Sequence, residues 1–256
     1  MKRHIRIWAV AIILLTGTVC GYGQNTTYIY DHVIYSYNSG YGGYYYISGV
    51  DLLSMPSPRI LNEVPYTKKE YVPVKAIGAR AFYGCYNIKT IQIPNSVTKT
   101  NWACFVNCYR LESVTLPDSL EIIEDNVFAA CSSLQSVNIP PALKKFGQYC
   151  FSGCTSLKAI TIPDNVQIKN NAFERCKSLK SLTIPPDIKI ETEAFNRCTG
   201  LTSVDFASNV SIGERAFSEC TGLTSVNLSS DVSIGKEAFI GCTGLTSVSW
   251  VHPEKA

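Results

Sequence analysis

The sequence predicts an α/β repeat solenoid: a curved, right-handed coil with a parallel sheet on its concave face and a small N-terminal β cap. Three observations carry that prediction. Cys85, Cys108, Cys131, Cys154, Cys176, Cys198, Cys220 and Cys242 are separated by steps of 23, 23, 23, 22, 22, 22 and 22 residues. A phenylalanine stands three residues before each of them, from Phe82, Phe105, Phe128 and Phe151 to Phe173, Phe195, Phe217 and Phe239. After each cysteine one frame returns, as in the run Cys154, Leu157, Ile160, Ile162, Pro163. A fixed period of this length marks stacked units, none of which buries its apolar face alone.

Taken in chain order, the first element is an address. Lys2, Arg3 and Arg6 precede an apolar run from Ile7 to Val19 of about 13 residues, short of the roughly 20 that a membrane-spanning helix needs. With Gly21 and Gly23 before Gln24, residues 1–24 read as a secretory signal peptide, so the chain is expected to be exported. A lipoprotein reading through Cys20 is disfavoured, because Val19 is bulky beside the cleavage point. Residues 25–74 lie outside the repeat. Eight tyrosines between Tyr28 and Tyr46, around Ser39-Gly40-Tyr41-Gly42-Gly43, read as short strands with a Gly-rich turn. Their expected role is to cap the first coil, with Met55–Pro58 as a loop. The remaining span, 75–256, is expected to form a solenoid of about eight repeats of 22–23 residues, continuous with the cap.

Within a repeat, apolar residues two apart, such as Ile160 and Ile162, give the alternation of a strand with one buried face. Pro94, Pro117, Pro140, Pro163 and Pro185 then remove a ladder donor and end it. A second alternation, Val166 with Ile168 or Val210 with Ile212, places a short extended stretch on the opposite side. The Ala-Phe-x-x-Cys run that follows predicts a single helical turn. At the far end, Trp250 stands where Ile162 or Leu228 stands in earlier copies. It is expected to plug the last coil, and that end is the expected place of any self-association.

Composition excludes several functions. With 46% hydrophobic and 17% charged residues, the 256-residue chain is no disordered polymer. Its formal charge of +3 falls to zero without residues 1–24, leaving 20 basic against 20 acidic residues. A neutral chain has no electrostatic footprint for nucleic acid. The three histidines, His4, His32 and His252, all avoid the repeats, and no Gly-x-Ser-x-Gly elbow or Cys-x-x-Cys pair occurs. No catalytic residue, cofactor or metal is therefore expected. Stacked cysteines lie about 4.8 Å apart, whereas a disulfide wants Cβ atoms about 3.8 Å apart, so the column is expected to be a ladder of buried free thiols. The pairs Cys104/Cys108 and Cys150/Cys154 sit two coils apart and cannot converge on one ion.

A binding surface does emerge. Strand positions alternating with the buried ones form columns on the concave face. One runs Lys89, Glu112, Gln135, Lys158, Lys180, Thr202, Thr224 and Thr246. Another runs Gln92, Thr115, Asn138, Thr161, Thr183, Asp205, Asn227 and Ser249, and small hydroxyls lie between them. These columns are the candidate ligand face, and the expected partner is a protein. A rival surface is Tyr41, Tyr44 and Tyr46, should they face solvent and stack on sugar rings.

The complete frame, Cys-x-x-Leu-x-x-Ile/Val-x-Ile/Leu-Pro followed by Ile-Gly-x-x-Ala-Phe-x-x-Cys, resembles the BspA-like, Treponema-type leucine-rich repeat of bacterial surface proteins. The resemblance covers about residues 75–250. Thr100 departs from it where Ile belongs, and Cys104, Val127 and Cys150 replace Ala. Gly78, Gly147, Gly213 and Gly235 hold its glycine, but Asn101, Glu124, Lys169 and Glu191 fill that place elsewhere, so positive φ is not expected there. The resemblance implies an exported or surface-exposed binding scaffold, in some cases adhesive, without catalytic residues. A purely structural envelope component, binding only its own copies, is the alternative.

Overall fold

The period becomes two parallel sheets joined by turns. The computed structural model describes residues 27–30, 33–38, 44–50, 57–65 and 71–251; the expected leader, 1–24, lies outside them. Coils are counted here by their phenylalanine, coil 1 holding Phe82 and coil 8 Phe239. The N-terminal strands are β1 (Thr27–Tyr30), β2 (Val33–Asn38), β3 (Tyr44–Val50), β4 (Glu63–Pro65) and β5 (Tyr71–Ile77). The front strands are β6 (Thr90–Gln92), β8 (Ser113–Thr115), β10 (Ser136–Val137), β13 (Ser181–Ile184), β15 (Ser203–Phe206), β17 (Ser225–Ser229) and β19 (Ser247–Val251). The back strands are β7 (Lys99–Thr100), β9 (Ile122–Ile123), β11 (Lys145–Phe146), β12 (Gln167–Ile168), β14 (Lys189–Ile190), β16 (Ser211–Ile212) and β18 (Ser233–Ile234).

Register follows the repeat. Val204 pairs with Leu182 and Val226, and Ile190 with Ile168 and Ile212, so each apolar position becomes a buried column. The front sheet comes in two pieces, β10-β8-β6 and β13-β15-β17-β19. Coil 4 has no front strand, and it is the first coil after the spacing shortens from 23 to 22 residues. At the other end β3 pairs in parallel with β5, and β5 with β7, while β1 and β2 add antiparallel to β3. Gly78 N–H donates to Ile47 O at 2.7 Å just as Asn101 N–H donates to Ile77 O at 2.9 Å, so β3 occupies the place of a preceding coil's back strand.

The α component of the prediction is corrected: among the described residues there is no helix. The Ala-Phe-x-x-Cys run is a chain of tight turns whose N–H groups alternate in target. In coil 5, Ala172, Glu174 and Cys176 donate three residues back, to Lys169, Asn171 and Phe173. Asn171, Phe173 and Arg175 donate instead to Thr192, Ala194 and Asn196 of the next coil at 2.8–3.1 Å. A helix points every N–H along its own axis and would leave the neighbouring coil unbonded. The alternation demands a left-handed residue on each side of Phe, here Asn171 (φ 57°) and Arg175 (φ 60°). Thirteen of these turn positions carry non-glycine residues, among them Glu193, Arg215 and Glu237, each at a cost of about 1–2 kcal/mol. The repeat glycine itself avoids positive φ, as expected. At Gly147 the reason for glycine is proximity: a Cβ would meet Glu124 C of the preceding coil at 2.6 Å.

The interior is two ladders side by side. Eight phenylalanine rings stack from Phe82 to Phe239 with centroids 4.8–5.4 Å apart. Beside them all ten described cysteines are unbridged thiols, nine of them buried. Each repeat thiol from Cys108 to Cys242 donates to the carbonyl of the preceding coil's phenylalanine, as Cys198 Sγ does to Phe173 O at 3.2 Å. The column therefore hydrogen-bonds as well as fills space.

Thr100 sits in the back column between Ile77 and Ile123, fully buried, with its hydroxyl unpaired. Thr100→Val replaces that hydroxyl with a methyl of the same shape. It should stabilise by about 1–2 kcal/mol, read as a higher denaturant midpoint at unchanged slope; a lower midpoint would refute the orphaned hydroxyl. Trp250 needs correction. It pairs with Leu228 along β17 and β19 yet stays 52% exposed, beside Val248 at 51%, so it does not plug the last coil. Alternation on β19 gives it the inward register, and among the described residues no further layer covers it.

Candidate functional site

The front strands place the candidate columns as the alternation requires, except in coil 4, where Lys158 and Thr161 lie on a stretch that forms no strand, contrary to the strand expected around Ile160 and Ile162. Lys89, Gln92, Glu112, Thr115, Gln135, Asn138, Lys158, Thr161, Lys180, Thr183, Thr202, Asp205 and Thr224 are exposed, and Asn227 is half-buried. Their side chains divide into two groups. Toward the C-terminal end they bond to the preceding coil: Thr202 and Thr224 hydroxyls donate to the backbone carbonyls of Lys180 and Thr202 at 3.0 Å, and Asn227 Nδ2 donates to Asp205 Oδ1 at 2.5 Å. Asn138 is consumed by the fold. Its amide accepts from Leu116 N at 2.6 Å and donates to Leu116 O at 3.0 Å, extending a ladder that β10 makes over only two residues. Lys158 Nζ donates to Gln135 Oε1 at 3.0 Å. Among the described residues, Lys89, Gln92, Glu112, Thr115, Thr161, Lys180 and Thr183 make no side-chain hydrogen bond.

The N-terminal end of the sheet carries a cleft of about 1,190 Å³. Gln92 and Thr115 form one wall, and Arg59, Asn62, Glu63 and Tyr71 line the other. Most of the second wall is the segment 57–63, which begins in the expected loop Met55–Pro58 and continues into the rest of the expected cap. Pro58 and Ile60 bury their side chains, Leu61 N–H donates to the Tyr35 hydroxyl at 3.0 Å, and Ser57 Oγ lies 2.6 Å from Thr90 Oγ1. Held at these points, the segment overhangs β6. It has no period, so only its apolar Pro58 and Ile60 hinted at anchoring. The rival tyrosines offer less: Tyr46 is half-buried, its ring about 3.3 Å from where a Cβ on Gly78 would stand, and Tyr35 is buried. The side chains of Tyr41 and Tyr44 lie outside the described residues.

The thiols are set against chemistry. Burial pushes the Cys85 thiol up to about 12, and raises Cys104, Cys150, Cys154 and Cys176 as well. At Cys108, Cys220 and Cys242 a hydrogen bond with a neighbouring thiol raises them first, and burial adds to it. A thiol held protonated is neither a nucleophile nor a metal ligand. Among the described residues no three His, Cys, Asp or Glu side chains converge on a cation site. The front face can hydrogen-bond, pair charge and accept a shape.

The family model for the BspA type leucine-rich repeat region matches residues 70–180 and 166–253, in six copies. A leucine-rich repeat protein from Bacteroides ovatus is similar at 26% identity and TM-score 0.61, over 87% of this chain and 70% of that one. The leucine-rich repeat protein of T. pallidum shares the fold at 23% identity and TM-score 0.61, over 86% of this chain and 91% of that one. No curated protein sequence matches the chain.

Proposed function

The chain belongs to the BspA-type leucine-rich repeat family, and from that premise we propose that it is an exported or cell-surface scaffold that binds proteins through its front face. Residues 1–24 direct export in this reading, 25–74 cap the N-terminal end, and 75–256 present the binding surface. The observation that carries it is the cleft between segment 57–63 and β6. There, unbonded Gln92 and Thr115 face Arg59 and Tyr71 across a space large enough for several side chains of a partner. The bonded Thr202, Thr224, Asp205 and Asn227 columns act as a stiff floor beyond it, since ordering them further costs little. Relatives of this family are repeat scaffolds, and the face described above supplies recognition without turnover.

The test is an array of matrix proteins, cell-surface proteins and glycans probed with the purified chain. A bound protein should lose at least tenfold in affinity on Gln92→Ala with Thr115→Ala, and be indifferent to Thr224→Ala. Absence of any bound protein, or equal loss from all three substitutions, would remove the reading. The structural-component alternative rests on exposed Ile234, Val248 and Trp250 at the last coil. It predicts oligomers at micromolar concentration that Trp250→Ser dissociates; a monomer by light scattering dismisses it.

A further inference from the structure

Repetition supplies an internal control: the same backbone position recurs eight times, so a residue type found in only a few coils answers to something other than the fold. The edge formed by the stacked phenylalanine turns, which run from the back strand to the front strand of each coil, fails that uniformity twice. In coils 1 and 2 it carries Tyr83, Tyr86, Trp102 and Tyr109, each 47–57% exposed. The cysteine-following position that holds Tyr86 and Tyr109 holds Ser132, Thr155, Lys177, Thr199, Thr221 and Thr243 in the later coils. The fold is satisfied there by a small hydroxyl. The position of Trp102 likewise holds Ala79, Asp125 and Gln148 in its neighbours.

These rings are already organised. The Arg80 guanidinium lies 4.6 Å from the Trp102 ring centre and 5.6 Å from that of Tyr83, and Asn107 Nδ2 donates to the Tyr83 hydroxyl at 3.3 Å. Trp, Tyr and Arg are the residue types that dominate binding energy at protein interfaces. Rings held by cation–π contact and hydrogen bonds lose little freedom when a partner lands on them.

The second departure is further along the same edge. A cleft of about 420 Å³ is lined by Arg175, Lys177, Arg197, Thr199, Glu219 and Thr221. Arg175 reaches Glu174 at 3.2 Å, while among the described residues Lys177 and Arg197 stand in no ion pair. From coil 1 to coil 7, between the residue after Phe and the second after Cys, Glu174 and Glu219 are the acids, against Arg110, Arg175, Lys177 and Arg197. The backbone ladder from Gly84 through Asn107, Ala130 and Gly153 to Arg175 and Arg197 keeps these positions in one line. Five coil steps of about 4.8 Å separate Tyr86 from Arg197, about 24 Å in all, the reach of roughly seven extended residues.

We infer that this edge is a docking surface for an extended acidic peptide segment of a protein partner. Its apolar side chains seat on Trp102, Tyr86 and Tyr109, and its carboxylates reach Lys177 and Arg197. The inference rests on the protein-binding reading above but assigns a different surface. Charge complementarity selects the acidic segment, and the small Ala129, Ala130, Ser132, Gly153 and Thr155 between the two clusters leave a path for its backbone.

The experiment selects a displayed random-peptide library on the chain and synthesises the enriched consensus. Peptides joining an aromatic or aliphatic anchor to Asp or Glu within about seven residues are expected. Trp102→Ala with Tyr109→Ala should weaken the consensus peptide at least tenfold at an unchanged melting midpoint. Lys177→Ala with Arg197→Ala should weaken it and flatten its salt dependence, and a Glu-to-Lys version of the peptide should not bind. Gln92→Ala with Thr115→Ala should leave it unaffected. No enriched peptide, or equal binding by both edge variants, overturns the inference. Loss confined to the Gln92/Thr115 variant overturns it while leaving the front-face reading intact. Quenching of Trp102 fluorescence by a neutral hexaose, with no peptide bound, overturns it in favour of a glycan surface.

Discussion

Between about pH 9 and pH 10.5 the chain is expected to lose its solenoid in one steep step driven by its thiols. Burial raises the folded thiols, Cys85 to about 12, whereas an unfolded cysteine releases its proton near pH 8.5. Below the unfolded value both states are protonated and the full stability is present. Above it the unfolded chain sheds protons that the folded chain retains, so stability falls as pH rises. One pH unit past the unfolded value each buried thiol has given up about 1.4 kcal/mol. Nine buried thiols together give up about 13 kcal/mol, comparable with the roughly 5–15 kcal/mol that holds a domain folded. Circular dichroism and thiolate absorbance, followed through the titration under reductant, should change together and reverse on neutralisation. Replacing two column thiols, Cys154→Ser with Cys176→Ser, should lower the pH slope of stability from nine protons toward seven. Thiolates that appear while the dichroism is unchanged would show the column to be accessible and the argument wrong.

That sensitivity was half legible in the sequence. The 22–23-residue step and the steric demand of a disulfide were enough to place the cysteines as an unbridged ladder. Their bonds to phenylalanine carbonyls were not legible, because the carbonyl that each thiol reaches belongs to the preceding coil and its direction depends on turn geometry. The same gap explains the helical turn that is absent. Ala172, Phe173 and Cys176 have helical spacing, but their N–H groups divide between their own coil and the next, and side-chain periodicity carries no information about that division. The left-handed positions were hidden for a related reason. Arg175, Glu193 and Arg215 are residues that local propensity keeps out of that region, and the inter-coil bonds at Arg175 and its equivalents hold them there. The candidate columns were readable because alternation of period two needs only one buried neighbour to set its phase. The wall at 57–63 and the aromatic edge were not. The first has no repeat, and the second becomes visible only when Tyr86 and Tyr109 are compared with Ser132 and Thr155 on an established backbone.

Phe173→Ala should be the most damaging single substitution in the core, costing about 3–5 kcal/mol. Phe173 is fully buried, stacks on Phe151 at 5.4 Å and Phe195 at 5.0 Å, and meets the edge of Phe146 at 5.0 Å. Its rings above and below are fixed by their own coils, which are bonded through Phe173 N–H to Ala194 O at 2.8 Å and through Cys198 Sγ to Phe173 O. The stack cannot collapse into the vacated space without breaking that ladder, so the cavity persists and its lining loses contacts on every side. Position matters as much as volume. A solenoid is stabilised by nearest-neighbour interfaces, and a weak coil in the middle uncouples the coils on either side. Phe173→Ala should therefore split denaturant unfolding into two transitions. Phe239→Ala, at the half-buried end of the ladder, should lower a single midpoint and cost less. Phe173→Leu refills most of the volume and should restore a single transition. If Phe173→Ala unfolds in one step with a midpoint equal to that of Phe239→Ala, the ring column is not what couples the coils.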